Sequence, residues 1–445
     1  ATKASYAGRG PPPRSFPAMN DEPDACLVLP PRGVYGLEPK VRIVFQVFEG
    51  SPKRLRDVVI RGNRFTRDKV IRRRVRVVPG DVIDMRKVDR ALRQIQQTRF
   101  FQNPLTQRGP ELELAPVAGR PDLVAIAIDV EDGATGELRW GVSIAPGSGA
   151  TAFISYNKRN FDLWNPPSSL NPGTAIEEIL DNRAFHGGGQ NLNLLLAPGS
   201  RQSQFQLTYV EPDLFVQHFD TYELRWSGQR RIRRLPDGYT SDALGTEIGI
   251  SRNFSEHFDA GFFVRQESVE VDDLAPNASS LAFDAEGQTE LRGGRLTARY
   301  HDYDDPFRPT SGFELSLSGE LLGGFWGGEE SLSKLLHRAH VYVPLTENEM
   351  GHRTVLHFEH AFGWAKAFGG SDDVFLTERF YMGGPNLRGL DYRSAGPSQF
   401  GRPIGGEAMY TASVELTVPL VATRREGELR DRELLRGVLG SLKKR

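Results

Sequence analysis

The chain has 445 residues, with 56 basic and 57 acidic side chains and a formal net charge of −1, a balance that supplies no polycationic surface for nucleic acid. One cysteine, Cys26, excludes an intramolecular disulfide and a cysteine metal cage. No run approaches the ~18 consecutive apolar residues of a transmembrane helix. The mean hydropathy of −0.43 still permits a membrane barrel, whose strands carry their apolar residues in alternation. The chain opens Ala-Thr-Lys, with no initiator methionine and no apolar signal core, and so reads as a processed or excised product.

Residues 1–25 are rich in Pro, Arg and Ser without periodicity and read as a disordered linker. Within 26–50, Val41, Ile43, Phe45 and Val47 alternate as a strand does, a remnant of a preceding module. A compact α+β unit then spans 51–132. A strand over 55–60 ends at the turn Arg61-Gly62-Asn63. Thr66 could cap a helix carrying Val70, Ile71 and Val75, which Pro79-Gly80-Asp81 breaks. Asp84 can cap a second helix, with Met85, Val88, Leu92 and Ile95 as its apolar stripe. Strands at 111–114 and through Val124, Ile126, Ile128 and Val130 complete a β-α-α-β-β order.

Beyond Gly133 the helical period gives way to alternation. Leu138, Trp140, Val142 and Ile144 alternate with Glu137, Arg139, Gly141 and Ser143, and Tyr410, Ala412, Val414 and Leu416 with Thr411, Ser413 and Glu415. About twelve such segments recur, near 137–146, 150–159, 188–197, 202–210, 219–231, 239–252, 257–271, 285–301, 312–323, 332–344, 352–364 and 407–419. One face is apolar or aromatic and the other polar, which fits lipid outside and water inside better than a soluble sandwich. Residues 133–420 therefore read as an antiparallel transmembrane β-barrel, closed because lipid cannot satisfy an open strand edge. The connection 160–185 is long for a periplasmic turn and suggests an insertion. Connections 232–238, 272–284 and 323–331 fall on the extracellular side, as does the long loop of about 366–406.

That loop carries Gly383-Gly384, then Arg388-Gly389-Leu390. It resembles the inward-folded loop of the BamA-like outer-membrane assembly factors, with Leu390 where the family has an aromatic. The unit at 51–132, with Gly62-Asn63, Gly80-Asp81 and Phe100-Phe101, is similar to the polypeptide-transport-associated (POTRA) domains of the same family. Asp305-Pro306, then Pro309 and Gly312, resembles the family's periplasmic turn. The resemblance implies a sixteen-strand barrel of which about twelve strands are present. Residues 421–445 would then be a charged tail, or the start of a thirteenth strand in an apparently truncated chain.

The function so implied is folding and inserting unfolded outer-membrane β-barrel proteins into the lipid bilayer, without a cofactor. POTRA would lie in the periplasm, and accessory lipoproteins are possible partners. The seam strand would be the one holding Leu138, Trp140, Gly141, Val142 and Ile144. Arg388 would couple the lumen to that seam, with Glu415 as the partner that facing alone suggests. A translocation-assembly protein, a two-partner-secretion transporter and a passive porin stay open as alternatives. No nucleophile elbow, Walker or His-Glu-x-x-His pattern points to an enzyme. His301-Asp302-Tyr303-Asp304-Asp305 matches no metal-loop spacing and reads as a turn, and His357-Phe-Glu-His360 splits between two strand faces, so no metal is expected.

Overall fold

In a computed structural model of the chain, residues 51–102, 109–145, 149–169, 171–215, 222–235, 238–306, 308–348, 351–384 and 386–419 are described. The expected linker, the strand at 41–47 and the tail beyond 420 lie outside them.

The N-terminal unit runs β1 (Arg54–Arg61), α1 (Asp68–Arg72), α2 (Met85–Thr98), β2 (Glu111–Val117) and β3 (Arg120–Asp129). β3 lies in the middle, parallel to β1 and antiparallel to β2. Burying one face of α2 against this sheet closes the core. Val88, Ala91 and Ile95 pack with Leu55, Ile71, Phe101, Ile126 and Ile128. Met85, expected on that stripe, is exposed, and the buried row of α2 is Val88, Ala91 and Ile95 instead. Asp84 caps α2, accepting the Arg86 backbone N–H at 2.9 Å. Thr66 does not cap α1: the flanking residue is Arg67, and Thr66 is buried with its hydroxyl bonded elsewhere. Gly62 and Gly80 both hold positive φ, at 85° and 99°. A β-carbon at Gly62 would collide with the Val130 carbonyl, which fixes the exit of β1 against the exit of β3.

From β4 (Gly136–Ala145) onward the chain is a meander. It continues through β5 (Gly149–Phe161), an inserted helix α3 (Pro172–Leu180), β6 (Gln190–Ala197), β7 (Gln202–Glu211) and β8 (Tyr222–Leu235). Next come β9 (Tyr239–Asn253), β10 (Phe258–Asp272), the short α4 (Ser280–Asp284), β11 (Gly287–Tyr303) and β12 (Gly312–Leu322). β13 (Leu332–Glu347), β14 (Arg353–Ala367), a small ribbon of β15 (Ser398–Gln399) and β16 (Arg402–Pro403), and β17 (Ala408–Thr417) complete it. Among the described residues, β4 to β14 and β17 form one twelve-stranded antiparallel sheet in sequence order, with β4 and β17 at its edges. The sheet is not closed there: the fold is a POTRA unit plus a barrel fragment.

Register fixes the two faces. Trp140 pairs with Ile154 and Tyr209 with Trp226 outside, while Arg265 pairs with Glu247 and Glu320 with Arg295 inside. The Pro/Asn-rich stretch expected as an insertion folds as α3, with Asn171 capping it through the Gly173 N–H.

Candidate functional site

The barrel interior changes character with height. At the extracellular end its inward residues turn apolar: Val269, Val271, Leu291, Leu322, Leu332 and Ala365 are all nearly inaccessible. They are covered by Val374, Phe375 and Leu376 of the long loop and by Ala278 and Ala282 around α4. Each large side chain so buried contributes about 1.5–3 kcal/mol, enough to hold the loop as a cap.

Directly below the cap lies an ionic layer. Glu378, 6 % exposed, faces Arg265 at 3.0 Å and Lys334 at 3.0 Å. Arg265 also meets Glu320 at 3.1 Å and Glu267 at 3.2 Å, and Glu267 takes Arg231 at 2.6 Å. Buried charges persist when signs interleave, as they do in this layer: Glu378 and Glu267 accept hydrogen bonds from Arg265, Lys334 and Arg231, whereas Arg265 and Glu320 meet as an ion pair alone. Glu378 is the carboxylate by which the loop enters the lumen. Nothing in Thr377-Glu378-Arg379 marks it, since its partners lie 113 and 44 residues away. Arg393 is also buried, its guanidinium carbon 3.5 Å from the centre of the Tyr381 ring and its Nη1 3.4 Å from the Tyr239 hydroxyl.

The glycine-rich motif forms the loop's tip. Gly383 (φ 119°) and Gly384 (φ 67°) let the chain turn where a β-carbon at Gly383 would strike the Asp391 carbonyl. Asn386 closes the turn, accepting from the Gly383 N–H and donating to the Tyr381 carbonyl, each at 2.9 Å. The Gly384 N–H donates to the Leu390 carbonyl at 2.9 Å, and Gly389 holds φ 88°. Arg388 Nη1 lies 2.6 Å from Glu415 Oε1 on β17. The guanidinium is nevertheless 84 % exposed, so the buried ionic contact between the loop and the lumen is that of Glu378 with Arg265, not that of Arg388 with Glu415. Leu390, in the place of the family's aromatic, is half exposed and packs into no core.

The edge strand β4 presents Leu138, Trp140, Val142 and Ile144 outward at 62–87 % exposure. Gly141 points inward, where a β-carbon would press on the Phe153 ring. At the β11–β12 connection, the organising carboxylate is Asp304. It accepts the Thr310 and Ser311 N–H groups at 2.8 and 3.1 Å and the Thr310 hydroxyl, whereas Asp305 takes the Arg308 N–H at 3.0 Å. Burial opposes ionisation of Asp304, but these bonds outweigh it and lower the carboxyl to about 2. Pro309 enters the turn and Gly312 (φ 107°) leaves it.

The joint between POTRA and barrel carried no signal in the sequence beyond three consecutive glycines. Asp132 accepts the Phe65 N–H at 2.8 Å and the Thr66 hydroxyl proton, while that hydroxyl accepts from Asn160 Nδ2 at 2.7 Å. Asn160 is fully buried in a left-handed conformation (φ 57°), and its Oδ1 takes the Gly189 N–H at 2.9 Å. The Arg67 N–H donates to the Gly187 carbonyl at 3.0 Å, and its guanidinium meets buried Asp162 at 2.5 Å. Neither Gly187 nor Gly189 has room for a β-carbon against Phe65 and Val70. His186 is buried at this joint, with Nδ1 3.4 Å from the Thr135 hydroxyl and its ring edge-on to Phe65. Burial and, secondarily, Lys158 push it down to about 4 despite Asp132.

The model of the Omp85 superfamily domain matches residues 184–432, more than half of the chain. The chain belongs to the Omp85 superfamily. A second family model, described as a surface antigen variable number repeat and covering POTRA units, matches 53–133. This BamA-like chain is 24 % identical over 362 residues to the outer membrane protein assembly factor BamA of Nitratidesulfovibrio vulgaris, covering 80 % of this chain and 40 % of that protein. It is 21 % identical over 401 residues to BamA of Neisseria meningitidis, covering 85 % and 46 %. The chain thus spans less than half the length of these two relatives. Among solved structures it is similar to BamA from Haemophilus ducreyi lacking POTRA domains 1–3. There the TM-score is 0.62 at 20 % identity, covering 85 % of this chain and 70 % of that one, a likeness of fold. The Omp85 barrel belongs in the outer membrane, with its POTRA unit on the periplasmic side.

Proposed function

We propose that this Omp85 chain belongs to an assembly factor that receives unfolded outer-membrane β-barrel proteins through POTRA and folds them into the bilayer at β4. The observation that carries this reading is the edge strand. β4 is paired only with β5 among the described residues, and its outward side chains are apolar. An unpaired strand edge templates an extended segment through backbone hydrogen bonds, and in lipid the need for a partner is acute. Gly141 weakens the strand and so favours exchange of its partner. The mechanism proposed is non-covalent, resting on strand pairing and bilayer insertion alone.

The capped lumen supports this reading over a passive porin, since Val374–Leu376 and the Glu378 layer occupy the path a solute would take. Through Arg388 and Glu415 the loop tip is tied to β17, so cap, lumen and one sheet edge form a connected unit. A photoreactive side chain at Val142 of β4, compared with one at outward-facing Phe262 of β10, tests the reading. Adducts to an unfolded client should form at Val142 and not at Phe262. Equal yields at both, or none at Val142, would defeat it.

A further inference from the structure

His357 and Glu359 lie two apart on β14 and so share its inner face, while Phe358 and His360 point outward. The inner face of β13 supplies a third group, because His340 stands directly opposite Glu359. One donor atom from each of His340, His357 and Glu359 lies within 4.8 Å of the other two. His340 Nδ1 and His357 Nε2 are 3.3 Å apart with ring centroids at 5.5 Å, so the two nitrogens face each other almost head-on. The ring of His357 also stacks on Tyr342, parallel to it with centroids 4.5 Å apart, a contact that a turn within the ring plane preserves.

We propose that these three residues form a lumenal site for a divalent transition metal of the zinc type. Two nitrogens on a tetrahedral ion, at bond lengths of about 2.0–2.1 Å, sit roughly 3.3–3.4 Å apart, which is the separation already present. Each ring needs to turn by only about 35° to aim its lone pair at the shared ion. Two imidazoles and one carboxylate suit zinc, nickel or copper and disfavour calcium or magnesium, which prefer all-oxygen cages. His357 and Tyr342 line a cavity on this inner face, which gives water access to a fourth position. A dication here also stands beside Glu415, the residue directly across from His357 on β17 and the partner of Arg388. It therefore competes with Arg388 for that carboxylate and links metal occupancy to the position of the loop tip.

The test uses the protein purified in detergent without a polyhistidine tag, titrated with zinc by calorimetry. One saturable site per chain is expected. His340→Ala and His357→Ala should each weaken it by more than about tenfold, and Arg388→Ala should tighten it severalfold. Because a variant could misfold, X-ray absorption on the zinc-loaded wild type serves as a second readout, and two imidazole ligands are expected. Absence of saturable binding, binding indifferent to both histidines, or a zinc shell without imidazole would overturn the site. An unchanged affinity in Arg388→Ala would overturn its link to the loop.

Discussion

Replacing Glu378 by glutamine keeps the side chain's shape and removes its charge from the ionic layer under the cap. Two charge-assisted contacts are weakened, to Arg265 and to Lys334, both at 3.0 Å, and hydrogen bonds of this kind are worth roughly 1.5–3 kcal/mol each. Neither cation is left alone. Arg265 keeps Glu267 and Glu320, and Lys334 keeps the Glu378 backbone carbonyl at 2.9 Å. The expected loss is therefore about 3 kcal/mol, at the low end of the range for breaking a buried pair. Arg388→Ala, by contrast, removes an exposed pair and should cost less than about 1 kcal/mol. Equilibrium urea unfolding of the barrel in lipid vesicles, with amide hydrogen exchange of residues 374–380 as a local probe, measures both. Glu378→Gln should speed exchange in that segment while Arg388→Ala leaves it slow. A Glu378→Gln protein within about 0.5 kcal/mol of wild type, or an Arg388→Ala protein destabilised as much, would refute the assignment of the anchor.

Three further outcomes follow from the same geometry. His186 has a folded pKa near 4 against an ordinary 6.5, so its contribution is fully present above pH 6.5 and is lost as the pH falls toward 4. That loss amounts to roughly 3 kcal/mol, and His186→Gln should flatten the corresponding slope of stability against pH; coincident slopes would disprove the effect. Gly187→Ala forces a side chain into positive φ and against the Phe65 carbonyl, at a cost of about 1–3 kcal/mol. POTRA should then undock while both units stay folded, seen as a broadened POTRA-to-barrel distance between spin labels. Asp304→Asn should destabilise the β11–β12 turn by about 1 kcal/mol after allowance for solvent. The wild-type carboxylate contributes above its unfolded pKa of 3.8, and that contribution fades as pH drops toward 2 in a urea titration series.

Local periodicity carried most of the fold. The segments expected at 239–252 and 257–271 appear as Tyr239–Asn253 and Phe258–Asp272, because alternation is imposed residue by residue by lipid and water. Turn chemistry was equally legible at Gly62, Gly80 and Gly312, where positive φ is needed. What stayed hidden was non-local. Glu378 becomes an anchor only when β10 and β13 bring Arg265 and Lys334 to it, and Asn160 becomes a hinge pin only against Thr66 and Gly189. His357-Phe-Glu-His360 showed its split of faces, but the third donor, His340, sits on the neighbouring strand. The motif around Arg388 was visible while its exposure was not, since exposure depends on how deep the loop descends.

The central claim is that this protein lowers the barrier to barrel insertion at β4. The most direct measurement is the folding rate of an unfolded outer-membrane barrel protein on liposomes holding the purified protein, read as the growth of a protease-protected, heat-modifiable band. The rate should exceed that on liposomes holding an inert porin, and a strand-like peptide bound along β4 should abolish the difference. Equal rates on the two kinds of liposome would contradict the account.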